Sequence, residues 1–98
     1  MVGDTYNQFD VAVGVGFFSE IKPSAGTELI IHNVYHADSV GLRLVDGSGN
    51  ESNFYEEAGK GLMTNMYFHL TNTQYLRIYN IASGAQNIAV DGIVSKEP

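Results

Sequence analysis

The sequence has no cysteine, no tryptophan and only two prolines, and it carries five Lys and Arg against eleven Asp and Glu. Without cysteine neither a disulfide nor a thiolate metal site can form, so packing or a partner subunit must supply the stability of a small domain. The five cations, Lys22, Arg43, Lys60, Arg77 and Lys96, stand singly along the chain, and the net charge is −6. A basic footprint for phosphate backbones is missing, which excludes nucleic acid as a partner. The same deficit excludes an anionic membrane surface. No apolar run reaches the length that spans a bilayer. The opening "MVGDTYNQFD" lacks a basic segment followed by an apolar one. No secretory leader is therefore expected, and the product is read as made and folded in cytoplasm.

What is present favours strands. Apolar residues make up 44% of the 98 positions and charged ones only 16%, with eleven glycines, six tyrosines and five phenylalanines. That content excludes disorder and suits a single sheet-rich domain over residues 1–98. In "FDVAVGVGFF", Phe9, Val11, Val13, Val15 and Phe17 alternate with Asp10, Ala12, Gly14 and Gly16. Period two with β-branched residues predicts a strand, and the two glycines leave room for a large side chain or a second backbone. "IKPSAGTE" is a loop, and Thr27 to His36 a buried strand. "VGLRLVD" alternates Val40, Leu42 and Leu44 against Gly41, Arg43 and Val45.

"KGLMTNMYFHLTN" sets Leu62, Thr64, Met66, Phe68 and Leu70 against Met63, Asn65, Tyr67 and His69. Neither side is clean, which predicts a strand covered on both faces or buried at a subunit contact. "YLRIYNI" and "NIAVDGIVSK" complete six strands, and the Asp91-Gly92 pair inside the last predicts a bulge. Weaker strands are expected at Val2 to Tyr6 and Asn53 to Glu57, and "NFYEEAGKGLM" has room for one helical turn. About eight short antiparallel strands predict an all-β sandwich, jelly-roll-like in connectivity.

Three constellations invite chemistry. Asp46, Ser48, Asn50 and Glu57 match four oxygen positions of a calcium loop. Glu51, however, stands where such a loop needs glycine, and the flanks are strand-patterned, so "DGSGN" is expected to be a hairpin turn with no ion. His32 and His36 share a strand parity, with His69 a conceivable third ligand; surface or interface histidines are expected instead of zinc or nickel. The serines lack a G-x-S-x-G elbow, and the adjacent Glu56 and Glu57 point to opposite faces of a strand, so neither an acyl-transfer triad nor a glycosidase dyad is expected. The protein is read as non-enzymatic, with no cofactor. Phe54, Tyr55, Tyr67, Tyr75 and Tyr79 are the candidates for an interface, with a sugar-binding surface as the alternative use of such tyrosines.

From Gly26 to Lys96, "GTELIIHNVYHADSVGLRLVDGSGN" and "FHLTNTQYLRIYNIASGAQNIAVDGIVSK" resemble small structural proteins of tailed phages. The resemblance implies a capsid decoration (cement) protein, or another virion accessory such as a head fibre or tail component. It implies a β-sandwich or jelly roll that binds the major capsid protein of the assembled shell as a homo-oligomer, trimer ahead of dimer. It carries over no active-site residues. The rival expectation is a lectin-like, carbohydrate-binding module working through Tyr75 or Tyr79.

Overall fold

Nine strands make two antiparallel sheets in a computed structural model that describes residues 1–64 and 66–98. They are β1 (Thr5–Val13), β2 (Phe18–Ile21), β3 (Glu28–His36), β4 (Val40–Asp46), β5 (Glu51–Glu57), β6 (Gly61–Met63), β7 (Phe68–Leu70), β8 (Gln74–Asn80) and β9 (Gln86–Lys96). Sheet I runs β1-β9-β3-β6, with β7 on the same edge of β3 as β6; sheet II runs β2-β8-β4-β5. If β6 and β7 count as one interrupted strand, eight strands remain in the interleaved order of a jelly roll. The chain changes sheet at every connection except β4–β5 and β6–β7. No helix forms at "NFYEEAGKGLM"; β5 occupies its first half.

The core fills the space between the sheets. Ile21, Ile31, Val34, Val40, Leu42, Leu70, Leu76, Ile78 and Ile88 are fully buried. Each is the inward member of a period-two strand, and truncating any such leucine to alanine costs about 2–5 kcal/mol.

One end of the sandwich is tied by a side-chain hub. Asn80 is fully buried, and its amide donates to Val13 O and Gly84 O, both at 2.8 Å. Its Oδ1 accepts from the Ala82 amide at 2.9 Å and from Gln86 Nε2 at 2.8 Å. Gln86 in turn donates to Ser39 O and accepts from the Asp38 amide. Three loops are thereby held by two carboxamides with complementary donors and acceptors.

β1 departs from the alternation read in its sequence. Its ladder with β9 shifts between Asp10 and Val13, where Ala12 has φ 55° and its amide donates to Asn87 Oδ1 at 2.9 Å. The left-handed residue flips the strand's parity. Val13 is buried, whereas Phe9 and Val11 point outward at 65% and 70% exposure. The inward positions before the bulge are polar: Tyr6 donates to Gln8, Gln8 donates to Asp10 and to Glu20 O, and Ser19 donates to Asp10. Those residues close the gap between the edge strands β1 and β2. Val15 and Phe17 are exposed in the loop after β1, with the Phe17 ring folded over Gly14.

A parity change also explains the mixed segment from Leu62 to Leu70. Met63 faces inward in β6, while Phe68 and Leu70 face inward in β7. The odd positions serve the core in one short strand and the even positions in the other. Asn65, grouped with Met63, Tyr67 and His69, lies outside the described residues. The irregularity predicted at Asp91-Gly92 belongs instead to the opposite strand. The β3–β9 ladder shifts between Ile31 and Asn33, leaving His32 as the extra residue.

Candidate functional site

The hairpin reading of "DGSGN" holds. The Asp46 amide donates to Asn50 O at 3.0 Å, and Gly49 takes φ 87°. The Asp46 carboxylate accepts from the Asn50 side chain and from the backbone amides of Asn50 and Ser48, bonds that hold it below the usual carboxylate range. A depression of about 400 Å³ lies beside Asp46 and Asn50, but the aspartate is committed to the turn. Glu57 stands at the opposite end of β5, six residues from Glu51, so roughly 20 Å separates it from the turn. There it bonds the buried His36 at 3.0 Å. The four candidate calcium ligands therefore do not converge, because an intervening strand, not a loop, spans the distance between them.

The histidines do not converge either. The bulge at His32 separates it in parity from His36: His32 is exposed and His36 buried, with Nδ1 on Asp38 O at 2.9 Å. His69 pairs with Glu28 at 2.6 Å. Among the described residues no group of three or more His, Asp or Glu is arranged to hold a metal ion. Two serine hydroxyls bond a carboxylate, Ser19 on Asp10 and Ser39 on the adjacent Asp38, and Ser19 is only 3% exposed.

The outer face of sheet II is covered by its own side chains. Arg43 lies over the Tyr79 ring at 4.0 Å, Arg77 over Phe18 at 4.5 Å, and Lys22 over Tyr75 at 4.8 Å. Phe18 and Tyr79 pack with centroids 4.9 Å apart. Glu51 gathers the ladder, accepting from Arg43 at 3.0 Å, Arg77 at 2.6 Å and the Tyr79 hydroxyl at 2.5 Å. Desolvation and the bond to Glu51 raise the Tyr79 pKa, whereas Tyr79 and Arg77 pull Glu51 down to about 2. Tyr75 is buried at 6% exposure. The lectin-like expectation placed the sugar on Tyr75 or Tyr79, and neither is free to meet one: the first is packed beneath Lys22, and the second spends its hydroxyl on Glu51.

This cluster sets an acid dependence. The unfolded Glu51 protonates near its ordinary value of 4.5, while the folded carboxylate resists until about 2. Its contribution is complete above pH 4.5 and is lost as pH falls from there toward 2. Melting curves of Glu51→Gln against wild type are expected to diverge at neutral pH and to converge near pH 2. A constant difference between them across that range would refute the assignment.

The remaining interface candidates stay on the surface. Phe54 and Tyr55 are each 45% exposed and Tyr67 is 70% exposed. Phe54 is the residue bulged out of the β4–β5 ladder, between Asn53 and Tyr55, and its ring meets Phe68 of sheet I edge-on at 5.7 Å. Leu62 is exposed on the same side of the sandwich, where both sheets end.

Sequence reasoning missed a second exposed group on sheet I. Phe9 of β1 and Tyr35 of β3 both lie opposite Ala89 of β9, and Asn7 and Asn33 both lie opposite Asp91. Tyr35 donates to Asp91 Oδ2 at 2.5 Å and Asn33 donates to Oδ1 at 2.6 Å. The bond to Asp91 raises the Tyr35 pKa. A cleft of about 440 Å³ opens between these walls. Cross-strand register, which one sequence does not reveal, is what assembles it. No family model matches the chain, and no curated protein matches it.

Proposed function

We propose that the chain is a non-enzymatic structural protein that associates with itself, trimer ahead of dimer, and cements a phage head by docking on the major capsid protein. The observation that carries this reading is the side of the sandwich where β5 and the β6–β7 strand run out. Phe54, Tyr55, Leu62 and Tyr67 stand there with a large fraction of each side chain in water, although Phe54 is the only one that meets an aromatic of the other sheet. Exposed aromatic clusters of this kind mark protein contacts, and tyrosine and phenylalanine are enriched at the centre of such contacts. The outer face of sheet II, by contrast, has its rings covered by Lys22, Arg43 and Arg77. The choice of a capsid as partner rests on the resemblance of Gly26 to Lys96 to phage structural proteins.

Light scattering at micromolar concentration is expected to give a homo-oligomer. Tyr55→Asp combined with Tyr67→Asp is expected to give a folded monomer that no longer co-sediments with expanded phage heads. The wild type is expected to sediment with expanded heads and not with precursor shells. A wild-type monomer that fails to bind expanded heads would sink the proposal.

A further inference from the structure

We infer that the outer face of sheet I carries a saccharide site, a slot between Phe9 and Tyr35 that takes one neutral pyranose ring and hydrogen-bonds it through Asp91 and Asn7. The slot is built by register. β1 and β3 flank β9, so Phe9 and Tyr35, both opposite Ala89, have backbones roughly two strand spacings, about 9.5 Å, apart. Ala89 contributes only a methyl group to the floor. An aromatic wall on each side and a small floor leave a space one ring deep, within the cleft of about 440 Å³.

The wall on β3 is held in place. The Tyr35 hydroxyl reaches Asp91, two residues along β9 from Ala89, which fixes the phenol ring as one wall of the slot. Asp91 is oriented by two donors, Tyr35 and Asn33, and each of its oxygens keeps acceptor capacity for a ligand hydroxyl. Asn7, across from Asp91, adds a carboxamide that both donates and accepts. Vicinal hydroxyls need that mixture of donors and acceptors, and the C–H face of a pyranose packs on an aromatic ring.

Charge narrows the ligand. Lys22, Arg43 and Arg77 are engaged on sheet II, Lys96 pairs with Glu28, and Lys60 lies in the β5–β6 turn. No cation lines the slot, and Asp91 would repel a phosphate or a uronate. Leu62 lies beside the slot, opposite Tyr35 across the β3–β6 ladder, and the slot stands whether or not the chain associates with itself.

The test follows amide and aromatic NMR signals of the full chain during titration with maltotriose, cellotriose and N-acetylchitotriose. At least one of the three is expected to shift the signals of Asn7, Phe9, Tyr35, Ala89 and Asp91 in a saturable way. Phe9→Ala and Tyr35→Ala are expected to weaken that binding at least about tenfold, the loss of roughly 1.4 kcal/mol. Both side chains are already exposed, so the variants should keep the folded spectrum, and Tyr67→Ala should bind like wild type. The inference is overturned if none of the three sugars moves the slot signals, or if Phe9→Ala binds as well as wild type. It is also overturned if tetramethylammonium or simple protein self-titration moves those signals while the sugars do not. The oligomer reading fails instead by light scattering, a separate readout.

Discussion

Gly92→Ala is expected to lower the stability of the fold by at least about 3 kcal/mol. Gly92 sits in the middle of β9, the central strand of sheet I, and is paired to β1 at Tyr6 and to β3 at Ile31. A Cβ there would overlap the Ile30 carbonyl oxygen and come within 2.9 Å of Ile30 C and Ile31 Cα. These are backbone atoms on a strand paired on both edges, so neither can swing aside as a side-chain end would. The close approach exists because β3 bulges at His32 directly beside this position. Gly84→Ala is the matched control, since a Cβ there meets nothing within 4 Å, and it is expected to fall within about 0.5 kcal/mol of wild type. In a domain of this length each kcal/mol moves the melting temperature by about 4–8 °C, so Gly92→Ala should melt at least about 12 °C below the control. Melting temperatures within two or three degrees of each other, both about that of wild type, would show that β3 and β9 can separate at no cost.

Asn80→Leu is the second large effect, with a loss of about 4 kcal/mol or more on urea denaturation. The substitution keeps the volume and removes every polar partner. Val13 O, Gly84 O, the Ala82 amide and Gln86 Nε2 would all lose a bond. Each orphaned buried group costs about 1–3 kcal/mol. Asn80→Asp separates polarity from shape, because it places a carboxylate oxygen against two carbonyl oxygens. It is expected to be nearly as damaging at neutral pH and less so in acid, where a protonated carboxyl can donate once. If Asn80→Leu unfolds at the wild-type urea concentration, the hub does not hold the loops.

Most strands, the hairpin at "DGSGN" and the sandwich class were legible because they follow from period two and from turn residues. By contrast, β2 was not read as a strand of its own, and the strand expected at Val2 to Tyr6 is a turn that leads into β1 at Thr5. What was not legible has a common cause. Ala12 reverses the parity of β1, an interruption after Met63 reverses it between β6 and β7, and His32 reverses it within β3. A single extra residue moves every following side chain to the other face, and nothing in the letters of "DVAVG" or "IIHNV" announces it. Phe9 and Val11 were therefore grouped with the core residue Val13, and His32 was grouped with His36. The same limit hid the Phe9 and Tyr35 slot, whose members lie 26 residues apart and meet only through Ala89. The covering of Tyr75 and Tyr79 was hidden for another reason. Their alternation carries no sign of a cover, yet long cations from the neighbouring strands and from Lys22 lie over their rings, and the register that brings them there is a property of the folded sheet.

The free edge of β5 also bears on which contacts between copies of the chain the fold allows. A strand with one unpaired side is a template for endless sheet growth unless something blocks it. Here the bulge at Phe54 breaks the regular spacing of its amides, and acids stand at both ends of the strand. If two copies were aligned antiparallel about Phe54, Glu51 would face Glu57 and Ser52 would face Glu56; an in-register parallel stack would set each glutamate beside its own copy. Main-chain addition at this edge is thus penalised in either direction, while the aromatic side chains beside it remain free to pack. Copies that meet through such side chains can close into a ring of fixed number instead of an open fibre.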